Sequence, residues 1–441
     1  MKRNEKEKYM VTVAIAGLGA RGGYIYSAFQ KNRPDLMKTV AIADLKEELV
    51  EKYGRELGVK EENRFSSAEE LLKRERLADV VIIATQDRDH FRHAMAALEK
   101  GYHILLEKPV SPRPDECVKL ERAAKKAERL VAVCHVLRYT AFFRTIKKIL
   151  SEGRLGQVRG IEQTENVAYW HYAHSFIRGN WRNSDETSPM ILQKCCHDFD
   201  IIQWLLEKTP VSVSSRGGLK YFVAENAPDG STERCMENCS VKGKCPYNAE
   251  RFYLAAYEKM SEAERRSNWI FNVLCNNSPS YERMKAALRD SDYGKCAFRC
   301  DNNVVDHQVT TVNFEDGTLA TLTMTAFTKD CKRVVRIYGT EGELTADDFS
   351  NVITLRPFTG EDERIDVTKL TDDLSGHGGG DNRLMEEFLT LIDGGDFSKN
   401  VSSGIEKSVM SHMMAFAAEE SRLKNGETID LEGMKRNVGE D

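Results

Sequence analysis

The chain has 441 residues, of which 30% are charged and 41% are hydrophobic. This length supports two domains with substantial cores, and the composition is ordinary for a soluble globular protein. The formal net charge of −5 gives no electrostatic reason to expect a nucleic acid or an anionic membrane as a partner. No apolar segment reaches the ~18 residues needed to cross a bilayer.

The first residues combine basic side chains with a short apolar run. That run alternates like a strand and leads directly into a glycine-rich turn, so we interpret it as the first strand of the fold and not as a secretion signal. We therefore expect a cytoplasmic protein. Eleven cysteines, an odd number in a long chain, favour reduced thiols or a metal site over disulfide bonds.

Apolar runs alternate with helical patterns over residues 1–138. Buried strands are predicted at 10–16, 39–44, 78–85, 103–108 and 130–136. A helix rich in Glu, Lys and Ala is predicted between the last two strands, at 115–128. Strands that alternate with helices at this spacing indicate a parallel, doubly wound sheet. We therefore expect an α/β first domain.

The pattern changes in residues 139–441. Alternating runs at 156–170, 308–327 and 331–347 predict antiparallel strands, with a hairpin around Asp316 and Gly317. A long helix is predicted at 404–426, with a glycine just past its end, and a cysteine-containing insertion at about 222–300. These elements predict an α+β second domain with a large, mainly antiparallel open sheet and helices on one face.

A glycine-rich turn separates the first strand from the first helix. Gly17, Gly19 and Gly22 form a G-x-G-x-x-G pattern, with Ala20 and Arg21 between the last two glycines. In such a turn the first glycine permits the bend, the second lets the backbone approach a pyrophosphate, and the third allows close helix packing. The anion then lies at the positive end of the helix. The pattern predicts a dinucleotide cofactor.

Asp44 ends the second strand, 22 residues after Gly22, at the position of an acid that binds the adenosine ribose. A carboxylate there repels a 2′-phosphate and favours NAD, although the nearby Lys46 leaves NADP open. Further along, Thr85, Gln86 and His90 follow the third predicted strand, at the sheet edge where ligands bind in such folds. The alternative is a helix start capped by an aspartate, at 87 or 89.

Three segments, "AGLGARG", "ATQDRDHFRHAMAALEKGYHILLEKPVS" and "VCHVLRY", resemble in order and spacing the glucose–fructose oxidoreductase/inositol dehydrogenase/MocA family. The resemblance covers the whole first domain and, more loosely, most of the second. It implies an NAD(P)-binding Rossmann domain and dimers or tetramers formed through the open face of the second sheet.

The triplet Glu107-Lys108-Pro109 is the family's most specific mark. The resemblance implies that Lys108 reaches the nicotinamide ribose and the substrate hydroxyl, that Glu107 lies at the cofactor, and that the Lys108–Pro109 bond is often cis. Physical chemistry agrees, since Glu107 and a cationic nicotinamide can tune the proton affinity of the lysine, and cis peptides are essentially a proline feature. The alternative is a solvated lysine in a turn.

The segment "SPMILQKCCHDFDIIQWLL" (188–206) predicts one helix, with Gln193, Lys194 and His197 on the side away from the core. The core stripe is predicted to be Cys195, Phe199, Ile202 and Leu206. Family members usually carry an aspartate four residues before a catalytic histidine, which implies a catalytic His197 with Gln193 in the aspartate's place. An amide can orient the histidine but cannot raise its basicity. Lys194 could supply part of that charge, so we predict Gln193 and Lys194 as further catalytic or substrate contacts.

Aromatic and polar side chains are dense in "YWHYAHSFIRGNWRN" (169–183). Stacked rings with hydrogen-bonding groups suit a sugar or polyol, and the alternative is a packed loop beneath the sheet. The predicted substrate contacts are Tyr169, Trp170, His174, Arg178 and Trp181, together with His377 in "GHGGGDNR".

The insertion carries three closely spaced cysteines, Cys235, Cys239 and Cys245, followed by Cys296 and Cys300. Three cysteines with a distant fourth resemble a structural zinc site, with spacings that differ from a standard finger. We predict zinc held by the first three and by Cys300 in preference to Cys296. The alternative is a set of free core thiols.

These features predict an NAD-dependent oxidoreductase that acts on a hydroxyl of a small-molecule sugar, glycoside or polyol. One alternative is a glycosidase that oxidises its substrate transiently, eliminates, and reduces it again. The other alternative is a catalytically silent NAD(H) sensor. The presence of both Lys108 and His197 argues against the sensor, which needs neither.

Overall fold

The computed structural model describes residues 10–395 and 401–439. These described residues form two compact units, the first from residues 10–141, 373–395 and 401–410 and the second from residues 142–372 and 411–439. The predicted boundary at 138/139 therefore needs one correction. Residues 373–410, which the sequence pattern placed in the second domain, belong to the first unit because they pack with its core.

The first unit is built on a parallel sheet. Its described strands are β1 (Val11–Ala16), β2 (Met37–Ala43), β3 (Arg64–Phe65), β4 (Val80–Ile83), β5 (His103–Leu106) and β6 (Val131–Val133). Their order is β3-β2-β1-β4-β5-β6, and every neighbouring pair is parallel. This is the order of a doubly wound dinucleotide-binding fold, with a crevice where β1 and β4 meet. The predicted α/β Rossmann architecture is confirmed.

The second unit is built on a mixed sheet. Its described strands are β7 (Val158–Asn166), β8 (Pro210–Gly218), β9 (His307–Phe314), β10 (Leu319–Thr325), β11 (Lys332–Gly339), β12 (Gly342–Asp347), β13 (Val352–Pro357), β14 (Glu363–Asp366) and β15 (Ile429–Asp430). Their order is β14-β13-β12-β11-β7-β10-β9-β8-β15. Only the pair β7–β10 is parallel within this sheet, so the predicted, mainly antiparallel sheet is confirmed.

Helices connect and cover the strands. In chain order they are α1 (Ser27–Asn32), α2 (Glu47–Glu56), α3 (Ala68–Lys73), α4 (His90–Glu99), α5 (Pro114–Ala127), α6 (Ala141–Ser151), α7 (Tyr169–Tyr172), α8 (Met190–Gln193), α9 (Cys196–Leu206), α10 (Ala256–Lys259), α11 (Glu262–Ser267), α12 (Trp269–Leu274), α13 (Tyr281–Asp290), α14 (Ser375–Gly378), α15 (Gly380–Gly394), α16 (Ile405–Leu423) and α17 (Leu431–Gly439). Within the part of the chain that the structure describes, no helix is both long and apolar enough to span a bilayer.

Shorter helical turns complete the elements of the described residues. Three are π-helical, at Ala20–Tyr26, Ala173–Ile177 and Glu250–Ala255, and the 3₁₀ turns are Glu61–Asn63, Asp87–Asp89, Val136–Tyr139, Ala224–Asn226, Asp292–Gly294 and Val367–Lys369.

The helix predicted over 188–206 is in fact two helices. The chain leaves α8 after Gln193 and begins α9 at Cys196, so a single continuous helix was wrong. The predicted core stripe is nevertheless buried, with Cys195, Phe199 and Ile202 fully inaccessible. The helix α9 packs on β7 and β10, which places this stripe against the sheet.

The helix α15 explains why residues 373–410 belong to the first unit. Leu384, Phe388 and Leu389 on this helix are fully buried in the same apolar cluster as Val13 and Ile15 of β1. Burying each such side chain contributes roughly 1.5–3 kcal/mol. This helix therefore covers the strand that leads into the glycine turn.

Candidate cofactor and substrate sites

Packing demands glycine at two of the three motif positions. At Gly17, where φ is +93°, an added Cβ would lie 2.3 Å from the carbonyl oxygen of Ala84. At Gly22 it would lie 1.9 Å from the carbonyl oxygen of Gly17. A Cβ at Gly19 would meet no atom within 4 Å, so the space beside this residue is open. An open second glycine is what a pyrophosphate needs to approach the backbone.

Asp44 is fixed beside the glycine turn. Its Oδ2 accepts a hydrogen bond of 2.6 Å from the backbone N–H of Leu18, and its Oδ1 accepts one of 2.8 Å from that of Lys46. An ionised carboxylate offers about four acceptor positions, so capacity remains for the hydroxyls of a ribose. The arrangement fits the adenosine half of NAD.

The Lys108–Pro109 peptide is cis, as the family resemblance implied. Glu107 is buried beside it, and its carboxylate accepts hydrogen bonds from the Nε of Arg21 at 2.6 Å, the hydroxyl of Tyr26 and the backbone N–H of Lys108 at 3.1 Å. Burial raises the pKa of Glu107, but the charges of Arg21 and Lys108 outweigh it and hold the pKa below its ordinary value. An ionised Glu107 therefore fixes the backbone of Lys108 at the carboxyl end of β5.

The network continues to His377. Arg21 Nη2 lies 2.6 Å from Asp381 Oδ1, and Asp381 Oδ2 lies 2.9 Å from His377 Nδ1. Burial raises the pKa of Asp381, but Arg21 and His377 outweigh this effect and lower it. Glu107, Arg21, Asp381 and His377 thus form a continuous chain of polar contacts within the first unit. The sequence pattern gave no sign of Asp381 or Tyr26.

This network changes the role proposed for Arg21 but not that proposed for His377. The guanidinium of Arg21 is committed to two carboxylates and the Tyr26 hydroxyl, so we reassign it from contacting the cofactor to holding Glu107. The ring of His377 is 47% exposed and its Nδ1 faces Asp381, so it stays a proposed substrate contact. Positive φ angles at Gly376, Gly378 and Gly379 let the chain bend around it.

The ends of β4 and β5 lie at the same edge of the sheet as the glycine turn. Thr85 is half-buried and Gln86 is exposed there, so both remain proposed cofactor contacts. His90 is 1% exposed, with Nδ1 2.6 Å from the carbonyl oxygen of Pro109 and Nε2 3.1 Å from that of Thr85. We therefore correct its predicted role: His90 ties the cis-proline loop to the end of β4 instead of contacting the cofactor.

In the second unit, His197 lies in the first turn of α9 and Gln193 ends α8. His197 is 8% exposed and Gln193 is 1% exposed, so both lie largely beneath the surface. The break in the helix falls between them, at Lys194 and Cys195. Their predicted one-turn spacing therefore comes from two helices that meet, not from one continuous helix.

Four charged side chains are buried between α9 and the sheet. Arg333 Nε lies 2.8 Å from Asp198 Oδ1, and its Nη2 lies 2.7 Å from Glu165 Oε2. Lys194 Nζ lies 3.4 Å from Glu165 Oε1, and Gln163 donates to Asp198. The two cations balance the two carboxylates. This buried quartet, Lys194, Glu165, Asp198 and Arg333, was not predicted because its members are far apart in the sequence.

The quartet overturns the predicted role of Lys194. Its side chain is 15% exposed and is paired with a carboxylate that is inaccessible to solvent. Burial lowers the pKa of Lys194, but Glu165 outweighs this and raises it above the ordinary value. A lysine held in this way neutralises the core, so we withdraw it as a catalytic or substrate contact.

Two of the predicted substrate contacts are also wrong. His174 is 1% exposed, bonds the Tyr253 hydroxyl through Nδ1 at 2.9 Å and stacks on Tyr293. Its burial lowers its pKa to about 3. Arg178 is also 1% exposed and donates to backbone carbonyls of the insertion. Both side chains pack against the insertion, as in the alternative of a packed loop.

The other aromatic candidates stay predictions. Tyr169, Trp170 and Trp181 are all half-buried, which leaves part of each ring accessible. Trp170 stacks on His171 and donates from Nε1 to the carbonyl oxygen of Lys329. These rings offer the apolar faces that a sugar or polyol requires.

The cysteines of the insertion are free thiols. Cys235, Cys239, Cys245 and Cys296 line one small cavity, whereas Cys300 does not and directs its Sγ to the carbonyl oxygen of Cys296 at 3.3 Å. The cavity lining therefore favours Cys296 over the predicted Cys300 as a neighbour of the other three cysteines. Across residues 10–395 and 401–439, no group of three or more His, Cys, Asp or Glu side chains is arranged to hold a metal ion.

Comparison with known proteins shows which protein family the chain matches. An oxidoreductase family with an NAD-binding Rossmann fold matches residues 11–135, and the C-terminal alpha/beta domain of the same family matches residues 147–427. The chain belongs to the Gfo/Idh/MocA family of oxidoreductases. The resemblance seen in the sequence is thereby confirmed, together with an NAD-binding Rossmann domain in this Gfo/Idh/MocA protein.

Curated relatives cover different parts of this Gfo/Idh/MocA chain. The putative oxidoreductase YteT of Bacillus subtilis is 24% identical over 75% of this chain and 79% of its own length. The scyllo-inositol 2-dehydrogenase (NADP(+)) IolW of the same organism is 34% identical over 25% of this chain and 29% of its own. The 2,7-anhydro-N-acetylneuraminate hydratase of Escherichia coli is 26% identical over 47% of this chain and 53% of its own length.

Solved structures share the fold. An oxidoreductase from Agrobacterium radiobacter, solved with NAD+, L-tartaric acid and magnesium, superposes with a TM-score of 0.65 at 13% identity. The superposition covers 97% of this chain and all of that one. At this identity the likeness establishes the fold alone.

Proposed function

We propose that this Gfo/Idh/MocA protein is an NAD-dependent dehydrogenase that oxidises a hydroxyl group of a sugar, glycoside or polyol. The observation that carries the proposal is the position of Lys108 directly after β5, where its backbone N–H donates to the buried Glu107. Glu107 fixes the backbone of this lysine, and the open glycine turn lies on the same edge of the sheet. A lysine so placed is suited to handling charge at the reacting end of a dinucleotide.

The first unit fits NAD. Gly17, Gly19 and Gly22 would hold the pyrophosphate and Asp44 the adenosine ribose, with Thr85, Gln86 and Lys108 towards the nicotinamide. When bound, NAD accepts the hydride that leaves the substrate carbon. The carboxylate of Asp44 disfavours a 2′-phosphate, which supports NAD over NADP.

Two residues of the chain are assigned to act on the substrate hydroxyl group that is oxidised. We assign His197 as the base that removes the proton of the hydroxyl group, with Gln193 orienting it. Lys108 donates a hydrogen bond to the developing alkoxide and so stabilises it, while the proton itself passes to His197. Each role needs only a lysine ammonium and an imidazole, and no metal ion.

The substrate class rests on the accessible aromatic rings and on relatives. Tyr169, Trp170 and Trp181 offer faces for a ring that carries hydroxyls, and one relative is named as an inositol dehydrogenase. Assembly into homodimers or homotetramers through the open face of the second sheet is part of the same proposal. Sedimentation analysis of the purified protein tests the assembly.

A second candidate is transient oxidation followed by elimination and re-reduction. Oxidation to a ketone acidifies the neighbouring C–H bond, so a leaving group can depart before the hydride returns. One relative is named as a hydratase and not as a dehydrogenase, which favours this reading. The amide of Gln193 in place of the family's aspartate also points to a substrate outside the simple inositols, such as a glycoside.

One experiment tests both candidates. Wild-type protein and NAD are incubated with free sugars, inositols and aryl glycosides in deuterated water. Accumulating NADH with a ketone product indicates the dehydrogenase. Released aglycone without net NADH, with deuterium beside the oxidised carbon, indicates the eliminating enzyme.

The variants Lys108→Ala and His197→Ala test the chemistry. Each should lose roughly 10²–10⁴-fold in turnover, since general acid–base groups typically contribute that much, while still binding NAD. Lys73→Ala and His307→Ala change an exposed lysine and a half-exposed histidine and should retain full turnover. Unchanged turnover in both Lys108→Ala and His197→Ala would contradict the proposed function.

A further inference from the structure

A buried guanidinium lies beside the cysteine cavity of the second unit. Arg178 is 1% exposed, and it donates to the carbonyl oxygens of Lys295 at 2.9 Å and Tyr247 at 2.7 Å. Its Nη2 also lies 3.9 Å from the Sγ of Cys235. Its Nη1 is buried and has no hydrogen-bond partner among the described residues.

No carboxylate within the described part of the chain pairs with this cation. Its polar neighbours are two carbonyl oxygens and a sulfur atom, all neutral when the cysteine is protonated. An uncompensated charge in a protein interior costs several kcal/mol, so buried charges are normally paired. The surroundings of Arg178 therefore call for a negative charge on the side of Cys235.

The cavity next to Arg178 can supply that charge. Four cysteines line it, namely Cys235, Cys239, Cys245 and Cys296, and no Asp, Glu, His or Lys side chain does. Its volume of about 10 Å³ is roughly the room that one water-sized sphere needs. The site is therefore lined by soft sulfur donors and has room for one small ion.

The backbone brings the two cysteine-bearing segments together. The N–H of Cys235 donates to the carbonyl oxygen of Gly294 at 2.9 Å, and the N–H of Cys296 donates to that of Glu233 at 2.8 Å. An antiparallel bridge between Arg234 and Lys295 lies between these hydrogen bonds. The paired segments place Cys296, and not Cys300, beside Cys235, and the cavity lining adds Cys239 and Cys245.

We propose that Cys235, Cys239, Cys245 and Cys296 bind one zinc ion as thiolates, with Arg178 as the counter-charge to the site. Four thiolates around Zn²⁺ leave two negative charges, of which the guanidinium balances one. Four thiol protons are released on binding. Among the described residues these sulfurs do not form a coordination geometry, so binding requires the cysteine side chains to move.

The site is structural because four protein ligands leave no open position for a substrate. It lies against the small apolar core of the insertion, which includes Cys235, Tyr253, Phe271 and Met284. A core of this size gains from a metal that joins its segments. The proposal is independent of the proposed function.

Metal analysis of the full-length protein, purified without added metal, is the test. We expect about one zinc per chain and neither iron nor acid-labile sulfide. Cys296→Ser should lower the zinc content at least tenfold, whereas Cys300→Ser, four residues further on, should leave it unchanged. Arg178→Lys keeps the charge and should retain zinc, but Arg178→Met should lose it faster to a chelator.

A second measurement applies if Cys296→Ser fails to fold. Wild-type protein is stripped with a chelator and reloaded with Co²⁺, which should give the absorption bands of a tetrahedral thiolate complex. The chelator should also lower the Tm, and Zn²⁺ but not Mg²⁺ should restore it. Folded wild-type protein that contains no zinc and takes up neither Zn²⁺ nor Co²⁺ would overturn the proposal. Equal zinc loss in Cys300→Ser and Cys296→Ser would overturn the ligand set.

Discussion

Replacing Arg333 with methionine should destabilise the second unit by about 3–5 kcal/mol at neutral pH, the usual cost of removing one partner from a buried ion pair. The guanidinium lies 2.8 Å from Asp198 and 2.7 Å from Glu165, and neither carboxylate is exposed. Methionine fills similar space but leaves both acids without this cation. Because Gln163 and Lys194 remain as partners, we expect the cost of one broken pair and not of two.

The loss should be smaller in acid. Burial raises the pKa of Asp198, and Arg333 opposes this effect, so removing the arginine raises that pKa further. A carboxyl group whose pKa is raised in the folded state does not lower the free energy of unfolding at a pH where it is protonated in both the folded and the unfolded state. Its penalty grows as pH rises above the ordinary pKa. The gap between variant and wild type should therefore narrow from about pH 8 to about pH 5.

Urea unfolding followed by circular dichroism measures both effects. Arg336→Met, an exposed position on the same strand, is the matched control and should stay within about 0.5 kcal/mol of wild type. Adding Asp198→Asn to Arg333→Met should recover part of the loss, because one uncompensated charge disappears. A stability within 0.5 kcal/mol of wild type at about pH 8, or a gap that widens in acid, would refute the reasoning.

Three further predictions concern the cofactor and the core. Gly19→Ala should fold normally, because its methyl group enters open space, but should weaken NAD binding roughly 10-fold or more, because that space is where the pyrophosphate approaches. Gly22→Ala should instead lower the Tm, because its methyl group meets the backbone. Cofactor titration and thermal unfolding distinguish the two effects, and normal NAD binding by Gly19→Ala would contradict the prediction. Wild-type protein should bind NAD more tightly than NADP in fluorescence titrations, and Asp44→Ala should reduce the ratio of the two affinities. Tighter binding of NADP by the wild type would rule out Asp44 as the residue that binds the adenosine ribose. Burial raises the pKa of Asp348 to about 6, so the stability of the wild type should fall as the pH rises from about 4 to about 6. Asp348→Asn should remove this fall. An unchanged dependence of stability on pH in the variant would contradict the prediction.

Local patterns predicted the first unit well. The strands β1 and β4 and the turn at Gly17–Gly22 each depend on residues close together in the chain, whereas the cis bond after Lys108 was implied by the family resemblance. The parallel sheet follows from the alternation of strands and helices. These features could be predicted because each is specified by neighbouring residues.

Features that depend on distant pairing could not be predicted. Asp198 and Arg333 meet only through the packing of α9 on the second sheet, and nothing local marks them as partners. The choice between Cys296 and Cys300 depends on the register between Arg234 and Lys295, which the spacing of cysteines does not reveal. Lys194 and His174 were misassigned for the same reason, since polar side chains in a motif can equally be buried and paired.

The first unit is discontinuous in the gene, because residues 373–410 return to it after the whole of 142–372. A single crossover near residue 138, in the laboratory or in a genome, would separate Arg21 and Glu107 from Asp381. It would also remove Phe388 from the core behind the glycine turn. A cofactor-binding half can therefore be exchanged between relatives only by two coordinated breakpoints. We expect the two segments to be inherited together, with their substitutions correlated across more than 200 intervening codons.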